Sequence, residues 1–237
     1  MLIKNKQFQG LIQVAGVHDV QETRMLADCG VHCVGLPLRL PVNKEDITED
    51  EARNIISRTR SAILPVCITY LGKANEIARF CSELEVSHVQ LHGHISVEEL
   101  RKLSRIAPEL YVIKSLVVSS DGSNKEELLR SAQETAPYVD AFITDTHNPE
   151  TGADGATGMT HDWSISKLLV QLSPRPVILA GGLTADNVAE AIRTVTPAGV
   201  DAHTGVEDAS GKKDVAKVCA FVQQAQDAFA EIAKKHP

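Results

Sequence analysis

The sequence predicts an α/β barrel of eight strands and eight helices, a TIM barrel, on three observations. Eight short β-branched runs, each four to eight residues long, alternate with amphipathic stretches across nearly all of the 237 residues. Aromatic residues are scarce, with five Phe, three Tyr and one Trp. The core is therefore aliphatic, as strands buried on both faces of a parallel sheet require. No Pro-, Gly- or Ser-rich linker divides the chain, so residues 1–237 read as one barrel domain. A doubly wound open sheet is the alternative. It is disfavoured because no GxGxxG follows the first run and about six strands are more usual there.

The strands are expected at Gly10–Gly16, Cys33–Leu36, Ile63–Thr69, His88–His92, Leu110–Lys114, Val139–Thr144, Pro176–Ala180 and Gly199–Ala202. Between them lie helix signals. Asp19 with Glu22, Thr48 with Glu51, and Ser96 with Glu99 have capping-box spacing. Gly30 closes the stretch carrying Met25, Leu26 and Cys29, and Asp162 precedes Trp163 as a cap, with the tryptophan a packing anchor. Val215, Val218, Val222, Ala225, Phe229 and Ile232 form one face of a last helix, with Lys234 and Lys235 at its negative end.

Composition excludes several functions. With 24 basic and 31 acidic residues the net charge is −7, which counts against nucleic acid as a partner. No run approaches the ~20 apolar residues of a membrane span, and the first residues lack an apolar signal core. The five cysteines show no CxxC spacing and sit on apolar segments, so a reduced, cytoplasmic protein with small buried thiols is expected. No cofactor is implied and metal ligation is unsupported, although His92 and His94 alternate.

In a barrel, chemistry lies at the strand C-termini. The seventh strand ends in Ala180-Gly181-Gly182 and the eighth in Asp201-Ala202-His203-Thr204-Gly205. Glycines at strand-to-helix turns let backbone N–H groups approach an anion, which suits a phosphate; tight turns alone are the plainer reading. Asp145 closes an apolar strand, a setting that suits a general acid or base as well as a cap. His92 is either a turn histidine or its catalytic companion.

Taken in order, several segments resemble the phosphoribosylanthranilate isomerase family. They are Val89-Gln90-Leu91-His92-Gly93, Asp145-Thr146, Gly155-Ala156-Thr157-Gly158 leading to Asp162-Trp163-Ser164, Ala180-Gly181-Gly182-Leu183-Thr184, Asp186-Asn187-Val188, and Gly205-Val206-Glu207 through Gly211-Lys212-Lys213-Asp214. The resemblance runs from about Leu11 to Gln224 and is strongest in the second half. It implies a ribulose-phosphate-binding type of barrel and an Amadori rearrangement of an aminoaldose phosphate to an aminoketose phosphate in tryptophan biosynthesis. It also implies a small phosphorylated sugar as substrate and Asp145 as the acid that opens the furanose ring. By the same resemblance Gly158, Gly181, Gly182, His203 and Thr204 line the phosphate, while Gln13, Gln90 and Asp201 lie beside the substrate.

Three positions depart from the family's pattern. Its strand-one Lys-Ile-Cys-Gly is here Gln13-Val14-Ala15-Gly16, and a methyl group cannot serve as the base that the cysteine provides. The arginine that recognises the anthranilate carboxylate is matched by Lys44-Glu45-Asp46, with Arg39 the nearest guanidinium. The paired serines of strand eight are His203-Thr204. Cys33, Cys67, His92 and His203 are the remaining candidates for a base. Three readings stay open: an isomerase with a substitute base, a related sugar-phosphate enzyme with another substrate, and a non-catalytic phosphosugar-binding protein. The oligomeric state is not legible.

Overall fold

The computed structural model describes residues 9–41, 45–119, 121–146 and 162–235. Eight parallel strands close into a barrel in sequence order. They are β1 (Leu11–Ala15), β2 (Cys33–Pro37), β3 (Leu64–Thr69), β4 (His88–Leu91), β5 (Tyr111–Val118), β6 (Ala141–Thr146), β7 (Val177–Leu179) and β8 (Gly199–Ala202). The helices that follow them are α1 (Val20–Asp28), α2 (Glu49–Thr59), α3 (Ala74–Glu83), α4 (Val97–Ile106), α5 (Lys125–Thr135), α6 (Trp163–Leu172), α7 (Val188–Val195) and α8 (Val215–Lys235).

Alternation along each strand separates two cores. Leu11, Cys33, Val66, Tyr111, Ile113, Ala141, Ile143, Ile178 and Ala180 fill the barrel, while Ile12, Val34, Cys67, Val89, Phe142, Leu179 and Val200 pack outward against the helices. The same parity sends Gln13, Gln90, Asp145 and Asp201 inward, above the apolar plug. Closure pairs β1 with β8, placing Gln13 opposite Asp201.

Two strands differ from expectation. β5 runs on past Lys114 to Val118, because Lys114 is no strand-ending charge: its buried ammonium donates to the carbonyls of Ser115 (2.8 Å) and Leu91 (3.4 Å). The register carries β6 with it to Thr146, so Asp145 lies within the strand rather than beyond it. β7 is the shortest strand, with two register pairs to each neighbour against six between β5 and β6.

Of the three expected capping boxes only Thr48–Glu51 closes, through Glu51 N to Thr48 Oγ1 (3.2 Å) and Thr48 N to Glu51 Oε2 (2.7 Å). Asp19 and Ser96 cap their helices, but their acidic partners serve neighbours. Glu99 accepts from the N–H of Ala74 (2.8 Å), capping α3, whose own first position, Lys73, provides no side-chain acceptor. Glu22 accepts from the N–H groups of His18 and Lys213, both at 2.6 Å, and so ties the first loop to the last. On the last helix Val215 is exposed, and Phe221 and Ala228 complete the buried face instead.

The cysteine expectation needs correction. Cys29, which ends α1, forms a disulfide with Cys219 of α8, 190 residues away, with Cα atoms 5.0 Å apart. Barrel closure sets the first and last helices side by side, a proximity that spacing in sequence cannot reveal. Cys33, Cys67 and Cys81 are the buried free thiols. Among the described residues, no helix is long and apolar enough to cross a membrane, and no His/Cys/Asp/Glu group is arranged to hold a metal ion.

Candidate active site

A polar chain spans the C-terminal mouth of the barrel. Gln13 Nε2 donates to Gln90 Oε1 across the lumen (3.1 Å), and Gln90 Nε2 reaches Ser115 Oγ (3.4 Å). His92 Nδ1 lies 2.9 Å from that hydroxyl and 3.9 Å from Asp145 Oδ2. Asp145 Oδ1 accepts from the N–H of Thr146 (2.8 Å), and the edge of His92 packs against Tyr70, 4.8 Å between ring centres. The chain ends at Asp201, which is hydrogen-bonded to Gln13 and feels the charge of Asp145. Gln13, Gln90, His92, Asp145 and Asp201, singled out separately in the sequence, thus form one constellation. Ser115 was missed, since a serine inside an aliphatic strand carries no signal of its own.

Asp201 is the perturbed member. Burial first, and then the Asp145 carboxylate, push its pKa up to about 8, against the opposing pull of Gln13 and Lys213. Its Oδ1 is buried and without a hydrogen-bond partner, as is Gln13 Oε1. An Asp in an unfolded chain titrates near ~3.9, so the native state holds a proton that the unfolded state releases between about pH 4 and 8. Stability contributed by this group is therefore greatest below pH 4, falls as pH rises, and is fully lost above 8. The groups facing it are Asp145, Lys213 and Cys33. Asp201→Asn is expected to melt progressively higher relative to the parent protein as pH is raised from 5 to 9. A gap in melting temperature that stays constant with pH would contradict this.

The substitute bases fare differently. Cys33 lies inside the barrel, register partner of Gln13, and burial together with Asp201 pushes its thiol up to about 12. Cys67 faces the helices rather than the mouth; its hydrogen bond with Cys81, then burial, raise its pKa. The ring of His203 lies over the end of β1: a Cβ built on Gly16 would fall 2.1 Å from its Nε2. Burial, with Lys213 and His18 nearby, pushes this imidazole down to about 3, so it is neutral at ordinary pH.

The two glycine turns meet. Gly181 and Gly182 adopt positive φ (100° and 62°), and Asn187 fastens their loop by accepting from Thr184 N (2.8 Å) and donating to the carbonyl of Gly182 (3.0 Å). Thr204–Val206 forms a single 3-10 turn pressed onto that loop, so close that a Cβ on Gly205 would sit 1.9 Å from the Leu183 carbonyl oxygen. Lys213, its side chain fully buried, braces the turn from beneath by donating to Glu207 (2.5 Å) and to the His203 carbonyl (3.2 Å). Gly158 lies outside the described residues. If these turns hold phosphate, Gly205→Ala must part them and weaken phosphate binding at least about tenfold, ~1.4 kcal/mol. Calorimetric titration with inorganic phosphate checks this, and unchanged affinity counts against the turns as the anion site.

Arg39, just past the end of β2, is engaged by Glu49 and Phe80. It has positive φ (57°), its guanidinium bonds Glu49 (2.8 Å), and it stacks over Phe80 at 3.7 Å. Glu45 accepts from the N–H groups of Arg39 and Leu40.

A closed parallel barrel with two inward carboxyl groups at its mouth and paired glycine turns beside them places the chain in the (β/α)8 class, with a candidate acid–base site at the strand ends. The model of the N-(5'-phosphoribosyl)anthranilate isomerase family matches residues 14–224, and the chain belongs to that family. It is 38% identical to "N-(5'-phosphoribosyl)anthranilate isomerase 2" of Methanosarcina mazei, over 93% of this chain and 96% of that one. It is 34% identical to the isomerase of Haloferax volcanii, over 92% and 93%. Among solved structures, phosphoribosylanthranilate isomerase of Thermotoga maritima superposes with a TM-score of 0.76 at 27% identity, covering 92% of this chain and 98% of that one.

Proposed function

We propose that the chain converts N-(5'-phosphoribosyl)anthranilate to its aminoketose, an Amadori isomerisation in tryptophan biosynthesis. Asp145 serves as the acid that protonates the ring oxygen. Family membership over residues 14–224 carries the substrate. The inward carboxyl of Asp145, oriented by the Thr146 N–H and flanked by His92, carries the acid role. His92 faces the same carboxyl and Ser115, a geometry that suits holding Asp145 in position. The turns at Gly181-Gly182 and His203-Thr204 are assigned to the phosphate, which their backbone N–H groups bind without help from a charged imidazole.

Loss of anthranilate fluorescence on mixing substrate with purified protein tests this reading directly, and growth of an isomerase-deficient auxotroph on the cloned gene tests it in cells. Turnover and growth are expected; absence of both overturns the assignment.

One observation favours a second substrate. Arg39, the guanidinium beside the β2 loop that the sequence pointed to, is held by Glu49 and Phe80. An aminoaldose phosphate with an uncharged aryl group needs no such guanidinium. Faster turnover of the aniline analogue than of the anthranilate substrate would establish it.

A further inference from the structure

The rearrangement needs two proton carriers, one for the ring oxygen and one for C2, and the methyl group of Ala15 can be neither. This inference rests on the proposed isomerase reading.

We infer that Asp201 is the catalytic base that removes the C2 proton, working across the mouth from Asp145. The geometry singles it out by position and by its unmet hydrogen-bond capacity. Asp201 projects inward from β8 beside Gln13, and its Oδ1 is a buried acceptor with no donor. Gln13 holds the other side of the carboxyl in place and is itself anchored to Gln90. Each competing group is accounted for elsewhere. The Cys33 thiol is sunk in the plug, Cys67 faces the helices, His92 sits on the acid's flank, and the His203 ring, although it lies over the end of β1, turns its Nε2 to Glu207 (3.4 Å).

The two carboxyl groups share one proton near neutral pH, which rests on the buried Asp201; passing it to Asp145 as substrate binds gives the acid its proton and leaves Asp201 a carboxylate. Asp145 gives its proton to the ring oxygen as the C1–O bond breaks, its electron pair staying on oxygen, and an iminium forms at C1. Asp201 takes the proton from C2. The C–H pair becomes a C1=C2 bond and the iminium π pair returns to nitrogen, giving the enolamine. The C2 hydroxyl then returns a proton to Asp145 as Asp201 protonates C1. Carbon 1 is reduced and carbon 2 oxidised within one molecule, both carboxyl groups are restored, and no co-reactant is consumed.

The test separates ring opening from proton abstraction, using N-(5'-phosphoribosyl)anthranilate and the intact protein. Borohydride traps the open imine as a stable amine, read by mass spectrometry, while ketose formation is read by fluorescence. Asp201→Asn is expected to lose at least about 10²-fold in ketose formation and to keep trapping the open imine. Asp145→Asn is expected to lose both. Asp201→Glu, which keeps a carboxylate, recovers part of the turnover and guards against a purely structural effect. Full turnover in Asp201→Asn overturns the proposal, as does a Glu variant no better than the Asn variant, or loss of trapping in step with turnover. Parent protein that neither opens nor isomerises the substrate sinks the isomerase reading itself, a result distinct from an active parent with an unimpaired Asp201→Asn variant.

Discussion

Asp145→Asn is expected to cut kcat by at least about 10²-fold, equivalent to about 2.7 kcal/mol of transition-state stabilisation, while KM changes little. The asymmetry follows from what asparagine keeps and loses. Its side-chain oxygen can still accept from the N–H of Thr146, the contact that fixes the carboxylate. Its amide cannot deliver a proton to a leaving ring oxygen. Because the side chain is only 14% exposed and its neighbours are unchanged in volume, the melting temperature should stay within a few degrees. Steady-state kinetics with calorimetric unfolding decide the matter, and near-parental kcat removes Asp145 from the mechanism.

The largest expected effect on stability comes from the disulfide. Joining residues 190 apart removes loop-closure entropy from the unfolded chain, worth roughly 3–5 kcal/mol for a loop of this size. For a chain of this length that corresponds to a melting temperature lower by roughly 10 °C in Cys29→Ser. Reducing the parent protein should give the same loss, and reductant should leave the serine variant unaffected. A parent protein whose unfolding ignores reductant would show that the link contributes nothing. The free thiols are not expected to take over, since Cys33 is enclosed in the barrel and Cys67 and Cys81 face each other under α3.

Much of the fold was legible because its signals are local. Alternating β-branched runs and caps such as Thr48 and Asp162 act within a few residues, and they located all eight strands and four of the helix starts. What escaped depends on closure. Glu22 and Glu99 have the spacing of local boxes, yet each carboxylate goes to a backbone N–H brought near by the neighbouring unit. Cys29 and Cys219 are adjacent only once β8 returns to β1. Lys114, expected to end the fifth strand, and Lys213 are buried against carbonyls and, for Lys213, Glu207. The site followed the same division. Parity alone sends Asp145 and Asp201 inward, whereas the linkage through Ser115 and the packing of His203 on Gly16 need three dimensions.

The brevity of β7 bears on how the molecule breathes. The seam between β1 and β8 carries the ladder, the Glu22 contacts and the disulfide, so it resists parting. β7 hangs on two register pairs to each side, and transient openings of the barrel wall concentrate where the ladder is thinnest. Its amides should therefore exchange with solvent hydrogen earlier than those of β1. That strand leads straight into the Gly181-Gly182 turn, so if both turns grip an anion there, its binding is expected to damp the fluctuation. On that reading, slower exchange of the β7 amides in the presence of phosphate would couple occupancy of the mouth to the rigidity of the wall beneath it.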